Sequence, residues 1–411
     1  MSIQQSIIEK TGVIYTTVEL KEGVYWVGFV DWNIKQFHGH EYSTHRGTTY
    51  NAYLIIDEKV ALVDTVWSPY SQEMIKNIEK IIDVKKIDYV IANHAEVDHS
   101  GGLPELMKLI PKATVVVSEK GRESIPKHYY EDWNFKVVKT GDSISLGKNS
   151  LVFVTAPMLH WPDSMFTYLT GKNILMPNDA FGMHFASSSR FNDEVDEIEV
   201  YQEAIKFYAN ILTPFSDLVT RKIDEFKKLN IPVDIIAPSH GIIWRKDPLQ
   251  IVNKYYEWAQ GKNDGSAVII YDTMWKATEK MGQAIADGLE KEGVKYKFFN
   301  MAVCDRNDVL TEVFKTKGII IGSPALNNGL LPTIKPILED LKGLKFKNKV
   351  GAAFGSYGWS GENVKLIEET LEKAKVKILQ EGIKFKWQPS KEELEKCVEF
   401  GRQFAQKMKA A

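Results

Sequence analysis

The chain has 411 residues, 44% hydrophobic and 26% charged, with a formal net charge of -2. That length supports two or three domains with sizeable cores, and the near-neutral charge gives no support for binding nucleic acid or an anionic membrane. Residues 1–12 hold no apolar signal-peptide core and no segment approaches membrane-spanning length, so a cytoplasmic location is expected. The two cysteines, Cys304 and Cys397, are far apart and form no clustered set for an iron–sulfur module. Any electrons for redox chemistry are therefore expected from a separate donor.

Taken in chain order, the apolar patterning predicts a hairpin over 50–56 and 59–66, turning at Asp57-Glu58. Helical spacing follows over 70–82, then a strand over 87–92, a helix over 104–109 and a strand over 113–118. Further strands are expected at 150–156, 173–176 and 233–237, and a helix at 248–258. This part reads as a layered α/β sandwich. Small, polar, glycine-flanked residues at 260–265 mark a boundary, so domains are expected over 1–262 and 263–411. Beyond it, strands at 267–271, 295–300, 318–321, 349–354 and 376–379 alternate with helices at 278–289, 308–314, 333–341, 363–374 and 391–408. Such alternation predicts a doubly wound parallel sheet with its ligand at the strand carboxyl ends.

The densest chemistry lies at His94-Ala95-Glu96-Val97-Asp98-His99, directly after the strand at 87–92. Four potential ligands in six residues, followed by Gly101 and Gly102, describe a tight turn at a strand exit. Mixed nitrogen and oxygen donors suit iron, manganese or zinc rather than a thiolate centre. His160, Asp179 and His240 also fall just past predicted strands. Each alone reads more simply as a capping or core residue; together they form a candidate metal constellation.

His-x-Glu-x-Asp-His with His160, Asp179 and His240 resembles the flavodiiron proteins, a metallo-β-lactamase-like fold joined to a flavodoxin-like domain. Residues 47–54 and 159–165 carry the same likeness, which extends over essentially the whole chain. Zinc hydrolases of that fold usually carry histidine where this chain has Glu96, and the carboxylate makes the site harder and more suited to iron. The resemblance implies one iron on His94, Glu96 and His160. It implies a second on Asp98, His240 and His99, with Asp179 bridging; His99 is the ligand that water displaces in some relatives. Asp64 is expected either to accept from a ligand imidazole or simply to cap its strand. His38 and Tyr208 match positions lining the distal pocket in relatives, and His184 is grouped with them; structural roles stay open for all three.

In the second half, Thr273, Met274, Trp275, Lys276, Ala277 and Thr278 join the first strand to the first helix. Hydroxyls and free amides at a helix start suit a phosphate monoester. Two more loops follow the third and fourth strands: Ser323, Pro324, Ala325, Asn327, Asn328 and Gly329, then Ser356, Tyr357, Gly358, Trp359, Ser360 and Gly361. Glycines allow close approach to a flat ring, and Trp275, Tyr357 and Trp359 can flank it. The combination resembles a flavodoxin-type FMN site.

The resemblance implies an oxidoreductase in which FMN relays electrons from an external donor to a di-iron site that reduces dioxygen to water or nitric oxide to nitrous oxide. It also implies rubredoxin, or a reduced deazaflavin coenzyme, as donor and a head-to-tail homodimer or dimer of dimers. Two rivals remain at this level: a zinc hydrolase with a regulatory flavodoxin domain, and a non-enzymatic FMN electron carrier.

Overall fold

The computed structural model describes residues 17–411. The chain forms two compact units: one holds the chain up to Phe207 and Asp217–Tyr255, the other Tyr208–Ser216 and Tyr256–Ala411.

In the first unit two sheets face each other. The seven-stranded sheet runs in the order Val18–Lys21, Val24–Trp26, Tyr53–Ile56, Val60–Val63, Ile87–Ile91, Thr114–Val117, Phe135–Val137. The five-stranded sheet runs Ser143–Ser145, Ser150–Thr155, Met165–Leu169, Ile174–Met176, Ile235–Ile236. Tyr53, Val63, Ile91 and Val116 of the first meet Phe153, Met165, Leu169 and Ile174 of the second in one buried core. The expected hairpin is present but shorter, with Tyr53 opposite Val63. Its first residues are drawn elsewhere, since Thr48–Tyr50 pairs with Phe29–Asp31.

Met165–Leu169 escaped the sequence reading for a physical reason. It is buried on both faces between two antiparallel neighbours, so no polar alternation marks it. Helix Glu119–Tyr129 was also missed, because Gly121 and Pro126 lie inside it. Ser118 starts it nonetheless, its hydroxyl accepting from the Gly121 amide at 3.1 Å.

The second unit has an all-parallel sheet, ordered Tyr296–Asn300, Ala267–Tyr271, Gly318–Gly322, Val350–Tyr357. The expected fifth strand is split: Lys377–Ile378 pairs at the start of Val350–Tyr357 and Ile383–Lys386 at its end. The closing helix Lys391–Ala410 starts at a capping box of Ser390 and Glu393. It packs on helix Ala277–Lys291 so closely that a Cβ on Gly401 would lie 2.1 Å from the Ile285 carbonyl. That helix follows strand Ala267–Tyr271, so its N-terminus starts at the carboxyl edge of the sheet.

Candidate metal centre and flavin site

Every residue of the expected metal constellation converges in the first unit. His94 and Glu96 lie in the turn after Ile87–Ile91, and the short helix Val97–Ser100 carries Asp98 and His99. The Ser100 hydroxyl donates to the carbonyls of Ala95 and Glu96, tying that turn down. A side chain at Gly101 would meet the Ser68 amide at 2.7 Å, which accounts for glycine there.

The donor atoms fall into two sets. In one, Glu96 Oε2 lies 3.2 Å from His94 Nε2 and 3.6 Å from His160 Nε2, while Asp179 Oδ2 lies 3.8 and 3.5 Å from the same two nitrogens. In the other, Asp98 Oδ2 lies 3.0 Å from His240 Nε2 and 3.5 Å from His99 Nε2, with Asp179 Oδ1 at 3.5 and 3.2 Å. Asp179 thus offers one oxygen to each set. His99, the weakest member on sequence, stands inside the second.

The residues fit a pair of cations. Asp98 Oδ1, Asp179 Oδ2 and both ring nitrogens of His99 are buried without a hydrogen-bond partner among the described residues. Three carboxylates gathered out of water are tolerated only against compensating positive charge. Burial alone would keep His99 neutral, yet Asp179 and Asp98 raise its pKa to about 10. The site demands positive charge at those atoms, as protons or as metal.

Neighbouring groups aim the ligands. His94 Nδ1 donates to Asp163 at 2.9 Å and His240 Nδ1 donates to the Thr49 carbonyl at 2.6 Å. A carbonyl can only accept, so His240 carries its proton on Nδ1 and turns the Nε2 lone pair to the centre. Asp163 was not anticipated from sequence. Of the two roles expected for Asp64, acceptor from an imidazole or cap at its strand end, the bonds observed are those of the second: its carboxylate accepts from the Asn93 amide at 2.8 Å and the Ser239 hydroxyl at 2.9 Å. It therefore joins the two turns that carry His94 and His240.

His38 Nε2 lies 2.7 Å from Glu96 Oε1. His184 is buried against Phe37, Tyr42, Phe207 and His240, with Nδ1 2.8 Å from the Thr48 hydroxyl. The Tyr208 hydroxyl meets Ser216 at 3.0 Å and its ring packs on Trp258 and Phe314.

In the second unit a cavity of about 380 Å³ opens at the strand carboxyl ends. Its lining includes Thr273, Met274, Trp275 and Ala277; Pro324, Ala325 and Asn327; and Ser356, Tyr357, Gly358 and Trp359. Lys276, Thr278, Ser323, Asn328, Gly329, Ser360 and Gly361 are outside the lining. Two of these brace it instead: Thr278 and Ser356 hydroxyls meet at 3.0 Å, and Asn363 Nδ2 donates to the Ser323 and Ser356 carbonyls. Trp387 and Gln388 also line the cavity and were missed. They follow Ile383–Lys386, the half of the fifth strand that the sequence reading did not find.

This cavity suits a flat aromatic ring with a phosphate. Its volume lies in the usual ligand range. Among the described residues the Thr273 hydroxyl is buried without a partner and helix Ala277–Lys291 has no side-chain cap, so its first amides are left free at the pocket end. Trp275, Trp359 and Trp387 stand largely exposed around the opening.

The two units correspond to two known families in series. The profile described as ODP family beta lactamase matches residues 48–241, and the flavodoxin profile matches residues 269–401. A nitric oxide reductase of Moorella thermoacetica is 52% identical over 390 residues, covering 94% of this chain and 98% of that protein. An anaerobic nitric oxide reductase flavorubredoxin of Vibrio vulnificus is 47% identical, covering 95% of this chain and 79% of that protein. Rubredoxin oxygen:oxidoreductase from Desulfovibrio gigas superposes with a TM-score of 0.94 at 36% identity, covering 96% of this chain and 99% of that one. The flavodiiron protein from Giardia intestinalis gives 0.92 at 33%, covering 97% and 98%.

A β-lactamase-like unit with paired metal-ligand sets, followed by a flavodoxin unit, defines a two-cofactor redox protein. The chain belongs to the flavodiiron protein family.

Proposed function

We propose that this protein reduces nitric oxide to nitrous oxide, dioxygen to water, or both, with electrons that FMN relays from an external donor. The observation that carries this reading is the pair of donor sets sharing Asp179. His94, Glu96 and His160 would hold one iron, Asp98, His99 and His240 the other, and Asp179 would bridge them. When bound, the irons supply open positions for a diatomic and, with the flavin, the electrons.

The chain's own residues prepare that chemistry. Asp163 and the Thr49 carbonyl fix the His94 and His240 rings. Phe37 and Tyr50 stand edge-on to His240, and Trp161 edge-on to His94, walling water from the centre. His38 Nε2 holds a proton against Glu96 Oε1 and fixes that carboxylate from the solvent side.

For the flavin, the Thr273 hydroxyl and the amides of Ala277–Lys291 would take the phosphate, and the loops around Pro324 and Gly358 the ring. Rubredoxin, or a reduced deazaflavin coenzyme, is the proposed donor. The proposed assembly is a head-to-tail homodimer or dimer of dimers, and the proposed location cytoplasmic. No helix among the described residues is long and apolar enough to cross a membrane. The proposed domain division is 1–262 and 263–411, with Tyr208–Ser216 as an excursion packing with the second.

Elemental and flavin analysis of anaerobically purified protein tests the assignment. The expected content is an iron pair and one FMN per chain. Zinc in place of iron would overturn it.

A further inference from the structure

A second cavity, of about 160 Å³, lies on the outer face of the five-stranded sheet, beneath helices Ser216–Leu229 and Leu249–Ala259. Val154, Phe166, Leu175, Phe181, Ile223 and Val252 form its walls. The strand alternation explains them. Met165, Leu169, Ile174 and Met176 point into the inter-sheet core, which turns Phe166 and Leu175 the other way. The Lys222–Glu225 pair marks the rim, and Leu229 beside it is 58% exposed.

One wall of this cavity, Phe181, lies close along the chain to a residue of the metal centre. Phe181 lies two residues beyond Asp179, so their Cα atoms are within about 7 Å. Phe181 holds a φ of 69°, a conformation that bulky residues rarely adopt. That turn sends Asp179 to the ligand cluster and the Phe181 ring to the cavity. The ring is held by Tyr255 at 4.8 Å, and its carbonyl accepts from Trp244 Nε1 at 2.9 Å.

We propose that this cavity captures the apolar diatomic substrate and delivers it past Phe181 to the metal centre. The inference rests on the function proposed above, in which the substrates are small apolar gases. Size and chemistry commit the occupant. The cavity is smaller than the roughly 300–1,000 Å³ of sites for drug-sized ligands. It matches the scale, about 150 Å³, at which an apolar protein cavity stays dry and takes up xenon or benzene.

Xenon is the probe. Crystals of the holoprotein under xenon pressure should show the atom between Leu175, Phe181 and Val252. Leu175→Phe and Val252→Phe, which fill the cavity from sheet and helix, should each abolish that density. Both should lower kcat/KM for the gas about fivefold, with kcat at saturating gas and iron content unchanged. An empty cavity in the xenon-treated wild type overturns the proposal, whether or not the variants fold. Xenon bound in wild type with unchanged kcat/KM in a filled variant overturns delivery while leaving the reductase assignment intact. A wild type that binds xenon but turns over neither gas would instead refute the assignment.

Discussion

Asp163 Oδ2 stands 2.9 Å from His94 Nδ1 and also accepts the Ala95 amide at 2.5 Å, so one carboxylate fixes both the His94 ring and the backbone just after it. Burial opposes its charge most, but the His94 bond, the His94 charge and the Ala95 amide together outweigh burial and lower its pKa. Asp163→Ala frees that ring to rotate. Iron retention at the His94 set should fall roughly 10- to 100-fold in a chelator challenge, with FMN content unchanged. Equal retention in wild type and variant would remove Asp163 from the account.

Asp64 makes a different kind of tie. It is buried, holds a φ of 55°, and joins Asn93 to Ser239. Asp64→Ala strands a buried amide and a hydroxyl and should lower stability by about 1–3 kcal/mol. Asp64→Asn keeps an acceptor for Asn93 and tolerates the left-handed backbone, so it should recover most of that loss. Thermal melts of the two variants check this; equal losses would show that the hydrogen bonds are not what matters.

Trp387 follows the last strand and faces Trp359 with ring centroids 6.2 Å apart. Trp387→Ala should weaken FMN binding roughly three- to tenfold, the usual range for one aromatic contact. Fluorescence titration of flavin into flavin-depleted protein measures this. An unchanged Kd would place Trp387 outside the flavin contact.

Lys349 gives the second unit a pH dependence. Its ammonium is buried and donates to the Phe314 carbonyl at 2.6 Å and to the Thr316 carbonyl. Burial lowers its pKa to about 7, with Asp264 opposing. The unfolded lysine titrates near its ordinary value of about 10.4. Between these values the unfolded chain holds the extra proton, so stability should rise with pH from about 7 to about 10 and stay flat below, with a slope of at most roughly 1.4 kcal/mol per pH unit. Melts followed by flavin release should show that rise in wild type and lose it in Lys349→Met. The same pH dependence in both would assign the effect elsewhere.

The residues of the two donor sets were readable in the sequence because four of them crowd one strand exit and three more follow other strands. The carboxylate that orients His94 was not. Asp163 lies within residues 159–165, which carry the family likeness, but only folding sets it against His94, 69 positions earlier in the chain. For Asp64 the sequence leaves two roles open, an imidazole acceptor or a strand-end cap, because strand-end geometry alone cannot say which neighbour lies opposite; the fold sets it against Asn93 and Ser239. The three loops that line the second unit's cavity were readable from glycine and aromatic content at strand ends. Trp387 was lost with the second half of the split edge strand. That half, Ile383–Lys386, alternates half-buried and exposed positions and shows no apolar run.

The most direct test of the central claim is stopped-flow mixing of the fully reduced, iron-loaded protein with nitric oxide or with dioxygen, followed at the flavin absorbance with product analysis. The expected result is rapid flavin reoxidation with at least one gas, yielding nitrous oxide or water. Flavin that stays reduced in both gases, or stoichiometric peroxide from dioxygen without nitric oxide turnover, would contradict it.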